Sequence, residues 1–286
     1  MSTIENILDA RLAFFTGDTK SLLASSPSEI RDEHKDGVAF LKYRAEIASG
    51  LSPASFDGVS SPATREALKA YAKFVASGHK DAAILSGLAS SNTDNEAVQL
   101  FGATGLYLEG KMDEALSLLE KHEGSFEAVL LTARILVDQN KIDAAHKLIR
   151  DYARTSDDDV AYLLASAIVA MRANGDDHVR SAYYIFEDLS QHKTGNMLLG
   201  QALTEIQLGR IDEAKETLSK VDEVAPQDPN ALMAKIVVGL SEGDDVTELK
   251  DELKKVDAKH PIFEELAEKN ALFDKVVLKY ADKIVA

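Results

Sequence analysis

Histidine and aspartate are the residues of this sequence that could support metal or acid–base chemistry, and their spacing argues against both. The seven histidines form no HExxH motif and no pair four residues apart, the arrangements that bring two imidazoles to one metal on a helix. Asp157, Asp158 and Asp159 are consecutive, whereas a calcium loop alternates its oxygen ligands and contains a glycine. We therefore interpret this triplet as the acidic start of a helix.

Nucleophilic and phosphate-binding sites are also missing from the sequence. The chain has no cysteine, which excludes disulfides, thiolate catalysis and cysteine-ligated zinc. The glycines of the FGATG stretch, residues 101–105, fall within a helical pattern and do not follow a strand, unlike those of a phosphate-binding loop. We expect no catalytic, cofactor or metal site. An enzyme or an enzyme-regulatory subunit is kept as an alternative, because separate helices can assemble a site in space.

Length, composition and charge describe a chain that can bury a large core. Its 286 residues are 45% hydrophobic and 28% charged, which favours a folded protein over a disordered one. The longest apolar stretch, residues 162–171, is much shorter than the roughly 20 residues of a membrane-spanning helix. The formal charge of −16 disfavours nucleic acid and anionic lipid as direct ligands.

Short turns recur along the whole chain at 28 to 35 residues, close to the roughly 34-residue period of the tetratricopeptide repeat. We call the residue at the centre of each turn its pivot. The pivots are Gly17, Gly50, Gly78, Gly110, Asn140, Gly175, Gly209 and Gly243. Glycine and asparagine suit this place because a helix often ends on a left-handed residue. The sequence therefore predicts an all-α solenoid of tetratricopeptide-like helical hairpins.

Each repeat is predicted to be helix, turn, helix. Two of the predicted hairpins pair Glu96–Glu109 with Met112–His122, and Phe126–Gln139 with Ile142–Ala153. An alanine five residues after the pivot, at 83, 115, 145 and 214, should let the second helix approach the first. Around Gly175 we expect the matching alanine at 182.

The two ends of the repeat array are predicted to differ from its middle. The N-terminal hairpins are less regular, and the Ser-, Gly- and Pro-containing residues 50–62 predict a short or irregular second helix. We predict a solenoid over residues 1–259 and a C-terminal capping helical segment over residues 260–286. Its inward-facing residues would be Phe263, Leu266, Phe273, Val276, Val277 and Tyr280.

The concave face of such a solenoid is lined by the first helix of each hairpin. The residues ten positions before the pivots are all apolar. Of the residues three positions before the pivots, only Arg172 is charged. The candidate partner-binding residues are Phe40, Leu68, Leu100, Tyr107, Leu130, Val137, Leu199, Ile206 and Met233. The alternative is that these side chains only pack hairpin against hairpin. A co-chaperone-type adaptor would need inward Lys, Arg and Asn to bind a terminal carboxylate, and we expect these to be largely missing.

The sequence resembles the epsilon subunit of coatomer, the COPI vesicle coat, over essentially its whole length. The resemblance is carried by AFFTG at residues 13–17, FLKYRA at 40–45, SAYYIFEDL at 181–189, and the ending from HPI at 260–262 through FD at 273–274, VV at 276–277 and YA at 280–281. It implies a cytoplasmic coat component, peripheral on Golgi membranes and COPI vesicles, that acts in retrograde transport from the Golgi to the endoplasmic reticulum. It also implies repeats that curl around and stabilise part of the alpha subunit's C-terminal domain, with only indirect membrane contact.

Overall fold

The computed structural model describes residues 4–26, 28–156 and 158–281. These residues form sixteen α-helices and no strand, and the structure is 73% helical. The predicted all-α class with repeated helical hairpins is confirmed. The chain divides into two compact units, residues 1–192 and 193–286.

The first unit contains eleven α-helices. They are α1 (Ile7–Thr16), α2 (Thr19–Ala24), α3 (Lys35–Ala48), α4 (Pro62–Ala76), α5 (Ala83–Ser86), α6 (Glu96–Leu108), α7 (Met112–Leu119), α8 (Phe126–Asp138), α9 (Ile142–Tyr152), α10 (Val160–Ala173) and α11 (Asp176–Ser190). Short 3₁₀ segments at Asp32–His34 and Gly87–Ser90 adjoin α3 and α5. The helices that the sequence predicts for α6 to α9 start at the predicted residues and end one to three residues earlier.

The second unit contains the remaining five helices. They are α12 (Gly195–Gln207), α13 (Ile211–Val224), α14 (Pro229–Glu242), α15 (Thr247–Val256) and α16 (Pro261–Tyr280). Helices α12 and α13 form one hairpin around Leu218 and Val221, and α14 and α15 form the next around Leu232 and Leu253.

The predicted pivots all have a positive φ, the backbone region that favours glycine and asparagine. Their φ angles run from 57° at Asn140 to 89° at Gly175. At Gly17 and Gly243 the pivot is also the residue that ends the preceding helix, and its N–H donates to carbonyls of the last helical turn. The repeat spacing read from the sequence therefore corresponds to a repeated backbone conformation.

A buried alanine on the second helix was predicted for five hairpins, and the structure has it in four of them. Ala115, Ala145, Ala182 and Ala214 have no exposed surface. Ala83 is exposed instead, because α5 is a single turn and Leu85 supplies its buried side chain. A β-carbon at Gly105 of α6 would lie 2.2 Å from the backbone nitrogen of Ser86. The small residue that allows close packing against α5 therefore stands on α6, the first helix of the next hairpin.

The second hairpin has no second helix. Residues 51–61 contain no helical segment, in agreement with the irregular element predicted there. Phe56 and Val59 are nevertheless buried in the core beside α3 and α4, and the Tyr43 hydroxyl donates to the Asp57 carbonyl at 2.9 Å. Two apolar side chains thus fix this loop where a helix would otherwise pack.

The first helices of the hairpins stack in sequence order within the first unit. Helix α3 packs on α4, α4 on α6, α6 on α8, and α8 on α10. Helix α1 packs on α3 and also contacts α10, so the first unit curls until its first and its last stacked helices meet. This closure brings side chains from α1, α3, α6, α8 and α10 to one concave surface.

The C-terminal segment is helical, as predicted, but only its start packs on the second unit. Ile262 and Phe263 contact the apolar cluster of α14 and α15, and Leu266 is half-buried. Every residue from 267 to 281 is exposed, with Phe273 at 67%. The expectation that Phe273, Val276, Val277 and Tyr280 face inward is wrong, because α16 runs past the hairpin that it was predicted to cover. The boundary at residue 259 stays a prediction.

The contact between α5 and α6 gives a stability prediction. We expect Gly105→Ala to lower the free energy of unfolding by roughly 1–3 kcal/mol, because the added methyl group overlaps backbone that cannot move aside. Urea titration followed by circular dichroism measures the change. Gly87→Ala is the matched control, since no atom lies within 4 Å of its β-carbon position and its φ of −58° suits alanine. Equal effects of the two substitutions would contradict the close approach at Gly105.

A pair of truncations tests how much of α16 stabilises the second unit. A chain that ends at residue 266 should unfold at nearly the wild-type urea concentration, because residues 267–281 are all exposed in the isolated protein. A chain that ends at residue 259 should be less stable, since it also loses Ile262 and Phe263 from the cluster around Leu253. Equal unfolding midpoints for the two truncations would show that the start of α16 is not a cap.

Candidate partner-binding surface

The nine predicted partner-binding residues divide into buried and accessible groups. Leu68, Leu100, Val137 and Leu199 are buried, while Phe40, Tyr107, Leu130, Ile206 and Met233 are half-buried. Val137 packs against Ala145 and Val169 in the core between hairpins. For the buried residues, packing of hairpin against hairpin accounts for the apolar side chain. Their role in binding a partner stays a prediction.

Three of the nine residues meet in one place. Leu100, Tyr107 and Leu130 line a cavity of about 570 Å³ on the concave surface of the first unit. The other lining side chains are Phe15, Arg44, Tyr71, Leu85, Phe101, Thr104, Glu127, Leu131, Arg134 and Ile168. They come from α1, α3, α4, α5, α6, α8 and α10, so the curl of the first unit creates the cavity. We call it the concave cavity.

A buried ion pair crosses the concave surface beside this cavity. The Arg44 Nη1 atom of α3 lies 2.7 Å from Oε1 of Glu127 on α8 and 2.9 Å from its Oε2. Both residues are buried, at 9% and 6% exposure. The guanidinium carbon lies 4.4 to 5.5 Å from the ring centres of Phe14, Phe40 and Phe101. Three aromatic rings and a carboxylate thus replace the water that the arginine loses on burial.

A second ion pair joins α1 to the start of α10. Arg11 Nε and Nη2 each donate to one oxygen of Asp159 at 3.0 Å, in the parallel geometry that suits a guanidinium and a carboxylate. Asp159 Oδ1 also accepts the Ala161 N–H at 2.9 Å. The interpretation of this acidic stretch as a helix start is confirmed at Asp159, which caps α10; Asp157 lies outside the described residues.

The mouth of the concave cavity carries a third arginine. Arg134 Nε donates to Asp138 Oδ2 at 3.0 Å, and the Tyr107 hydroxyl donates to the same carboxylate oxygen. Burial raises the pKa of Tyr107, and the hydrogen bond to Asp138 raises it further, so the hydroxyl stays protonated and remains a donor at neutral pH. Burial likewise raises the pKa of Tyr71, which also lines the cavity.

The expectation that inward basic residues are largely missing is wrong in the first unit, where Arg44 and Arg134 line the concave cavity. Arg11, Arg44 and Arg134 each stand six residues before a pivot, a position between the two that the sequence analysis followed. Arg172, the charged residue three positions before its pivot, donates to Asn140 Oδ1 at 3.1 Å. The recurrence of arginine at the same offset in three repeats was the signal available in the sequence.

A cluster of metal ligands and a long apolar helix are both absent from the described residues. Among them there is no group of three His, Cys, Asp or Glu side chains close enough to hold a metal ion. The described helices include none that is long and apolar enough to cross a membrane. The features of the concave surface are apolar contact area and paired charges, which are the means of protein binding.

Comparison with known proteins assigns the chain to a family. Residues 3–281 match the family model described as Coatomer epsilon subunit. The chain belongs to this family. The resemblance drawn from the sequence is confirmed, and the chain is a structural subunit of the COPI coat, which associates with other coatomer subunits.

Similar proteins within the family include fungal and plant proteins. A probable coatomer subunit epsilon of Schizosaccharomyces pombe is 24% identical over 223 residues, which cover 78% of this chain and 76% of the relative. Coatomer subunit epsilon-2 of Arabidopsis thaliana is 22% identical over 284 residues and 96% of both chains. Coatomer subunit epsilon of Saccharomyces cerevisiae is 26% identical over 201 residues, 62% of this chain and 68% of the relative.

The ion pair between α3 and α8 gives a stability prediction. We expect Arg44→Met to lower the free energy of unfolding by about 3–5 kcal/mol, because Glu127 is left buried without its partner. Adding Glu127→Leu should restore much of this loss, since the unpaired charge is then removed. Urea unfolding of the single and double variants measures both effects.

A surface pair serves as the control for this experiment. Lys69 and Glu66 are 2.6 Å apart on α4, but both side chains are more than half exposed. Lys69→Met should leave the unfolding midpoint unchanged within error, because exposed pairs contribute little. An Arg44→Met variant as stable as the Lys69→Met variant would show that the buried pair does not hold α3 against α8.

Proposed function

We propose that this coat subunit binds the C-terminal domain of the coatomer alpha subunit and stabilises it. Through the alpha subunit it would join the rest of the COPI coat and support transport from the Golgi to the endoplasmic reticulum and within the Golgi. The subunit would act in the cytoplasm on Golgi membranes and COPI vesicles, with its membrane contact made indirectly through the assembled coat. The formal charge of −16 supports this last point, since anionic lipid headgroups would repel the chain.

The observation that carries the proposal is the concave cavity. It is open, lies on the face that helical repeats use for binding, and is lined largely by apolar and aromatic side chains such as Leu100, Leu130 and Ile168. Its volume of about 570 Å³ falls within the range of ordinary ligand-binding pockets. A partner segment that enters it removes apolar surface from water, which contributes about 25 cal/mol for each Å² covered.

A peptide-binding adaptor of the co-chaperone type is the second candidate function. The inward arginines favour it, because such adaptors hold a terminal carboxylate with basic side chains. Arg44 is already paired with Glu127, however, and Arg11 with Asp159. Pull-down with a peptide that has either a free or an amidated C-terminus separates the two functions. The adaptor requires the free carboxylate, and coat assembly does not.

Leu130 provides the direct test of the proposed function. We expect Leu130→Lys to abolish binding of the alpha subunit's C-terminal domain, because the lysine must lose its water in an apolar cavity without an acceptor of its own. Isothermal titration with the purified domain measures the affinity. The free variant should keep the helical circular dichroism spectrum of the wild type.

The matched control places the same charge on an exposed leucine. Leu108 is 51% exposed at the end of α6 and does not line the concave cavity, so Leu108→Lys should bind like the wild type. Normal binding by Leu130→Lys would overturn the proposal. Unfolding of the free Leu130→Lys chain would also count against it, since Leu130 would then serve the core and not the partner.

A further inference from the structure

The ionised groups that line the concave cavity do not balance. Its charged lining residues are Arg44, Glu127 and Arg134. Arg44 and Glu127 neutralise each other at 2.7 Å, whereas Arg134 at the mouth is paired with Asp138, which does not line the cavity. Most of the cavity lining is apolar, and the chain as a whole carries −16. The mouth of this apolar cavity therefore carries a cation in a chain whose net charge is strongly negative.

Arg134 is placed to make a further contact. Its side chain is 55% exposed, and its ion pair with Asp138 uses the Nε donor. A guanidinium has five N–H donors, so donors remain for an additional acceptor beyond Asp138 and the neighbouring Tyr107 hydroxyl. Asp138 is itself shared, because the same carboxylate oxygen accepts from the Tyr107 hydroxyl. Arg134 and Tyr107 thus share one acceptor oxygen.

We propose that Arg134 pairs with a carboxylate side chain of the partner segment that fills the concave cavity. The segment is internal to the partner chain and presents an apolar side chain to Leu130 and Ile168, with an Asp or Glu close to it in sequence. This inference rests on the proposed function and adds the residue that selects the partner. Apolar contact contributes affinity, whereas a charge-assisted hydrogen bond at the mouth fixes the register of the bound segment.

The carboxylate belongs to a side chain and not to a chain end. Sites for a terminal carboxylate converge several basic side chains on it, and here Arg44 is committed to Glu127 and Arg11 to Asp159. Arg134 is the one arginine at this cavity whose partner is an exposed neighbour on its own helix. One available guanidinium matches one side-chain carboxylate in bidentate geometry.

Two substitutions within the ion pair give opposite expected results. Arg134→Gln should raise the Kd for the alpha subunit's C-terminal domain roughly tenfold or more, because a charge-assisted contact is lost. Asp138→Asn should bind at least as tightly as the wild type, because it removes the carboxylate that competes for Arg134. Arg134→Lys should retain part of the affinity. Isothermal titration of the full chain with the purified domain measures all three.

A merely structural ion pair would behave differently. If Arg134 and Asp138 only stabilise α8, both Arg134→Gln and Asp138→Asn should weaken binding alike, and the inference is overturned. Arg180→Gln is the matched control, because Arg180 pairs with Asp177 on α11 and does not line the concave cavity. Its Kd should stay within about twofold of the wild type, well short of the tenfold change that one charge-assisted contact represents.

The same titrations separate this inference from the proposed function. If Leu130→Lys abolishes binding while Arg134→Gln binds normally, the cavity holds the partner and the pairing of Arg134 is wrong. If Leu130→Lys binds normally, both proposals fail. A partner domain extended by several residues beyond its C-terminus should bind with unchanged affinity. Loss of binding on extension would identify a terminal carboxylate as the ligand and overturn the side-chain assignment.

Discussion

The buried ion pair between Arg44 and Glu127 is the contact on which the concave surface of the first unit depends. It connects α3 to α8, two helices that are 83 residues apart at the bonded positions, and so fixes how far the intervening hairpins curl. Because both residues are buried, each charge depends on the other, since either one alone would be left without water. The rings of Phe14 and Phe40 complete the surroundings of the guanidinium, which ties α1 into the same contact.

The concave cavity is a consequence of this constraint. Because ion pairs hold α3 against the start of α8 and α1 against the start of α10, the apolar side chains of Leu130 and Ile168 are gathered around one open cavity. The Arg44–Glu127 and Arg11–Asp159 pairs are satisfied within the chain, so they shape the cavity without supplying a binding charge. Affinity for a partner would then come from apolar burial, and selectivity from the arginine at the mouth.

The local structure was predictable from the sequence, and the long-range pairing was not. The pivots at Gly110 and Asn140 and the helices around them follow from backbone preference and apolar periodicity over about 15 residues. The partner of Arg44 lies on another repeat, and its choice depends on small rotations summed over the intervening hairpins, which no local pattern encodes. The prediction that α16 buries its apolar residues failed for a related reason. An apolar stripe predicts that a helix face is covered, but it does not say whether the same chain covers it.

The central claim is that a segment of another coat subunit occupies the concave cavity, and site-specific thiol labelling tests it most directly. The natural chain has no cysteine, so Thr104→Cys introduces one thiol in the lining of the cavity, and Ser181→Cys introduces one on the exposed face of α11. Adding the alpha subunit's C-terminal domain should sharply slow labelling at position 104 and leave position 181 unchanged. Equal labelling rates at position 104 in the free and the bound chain would contradict the account.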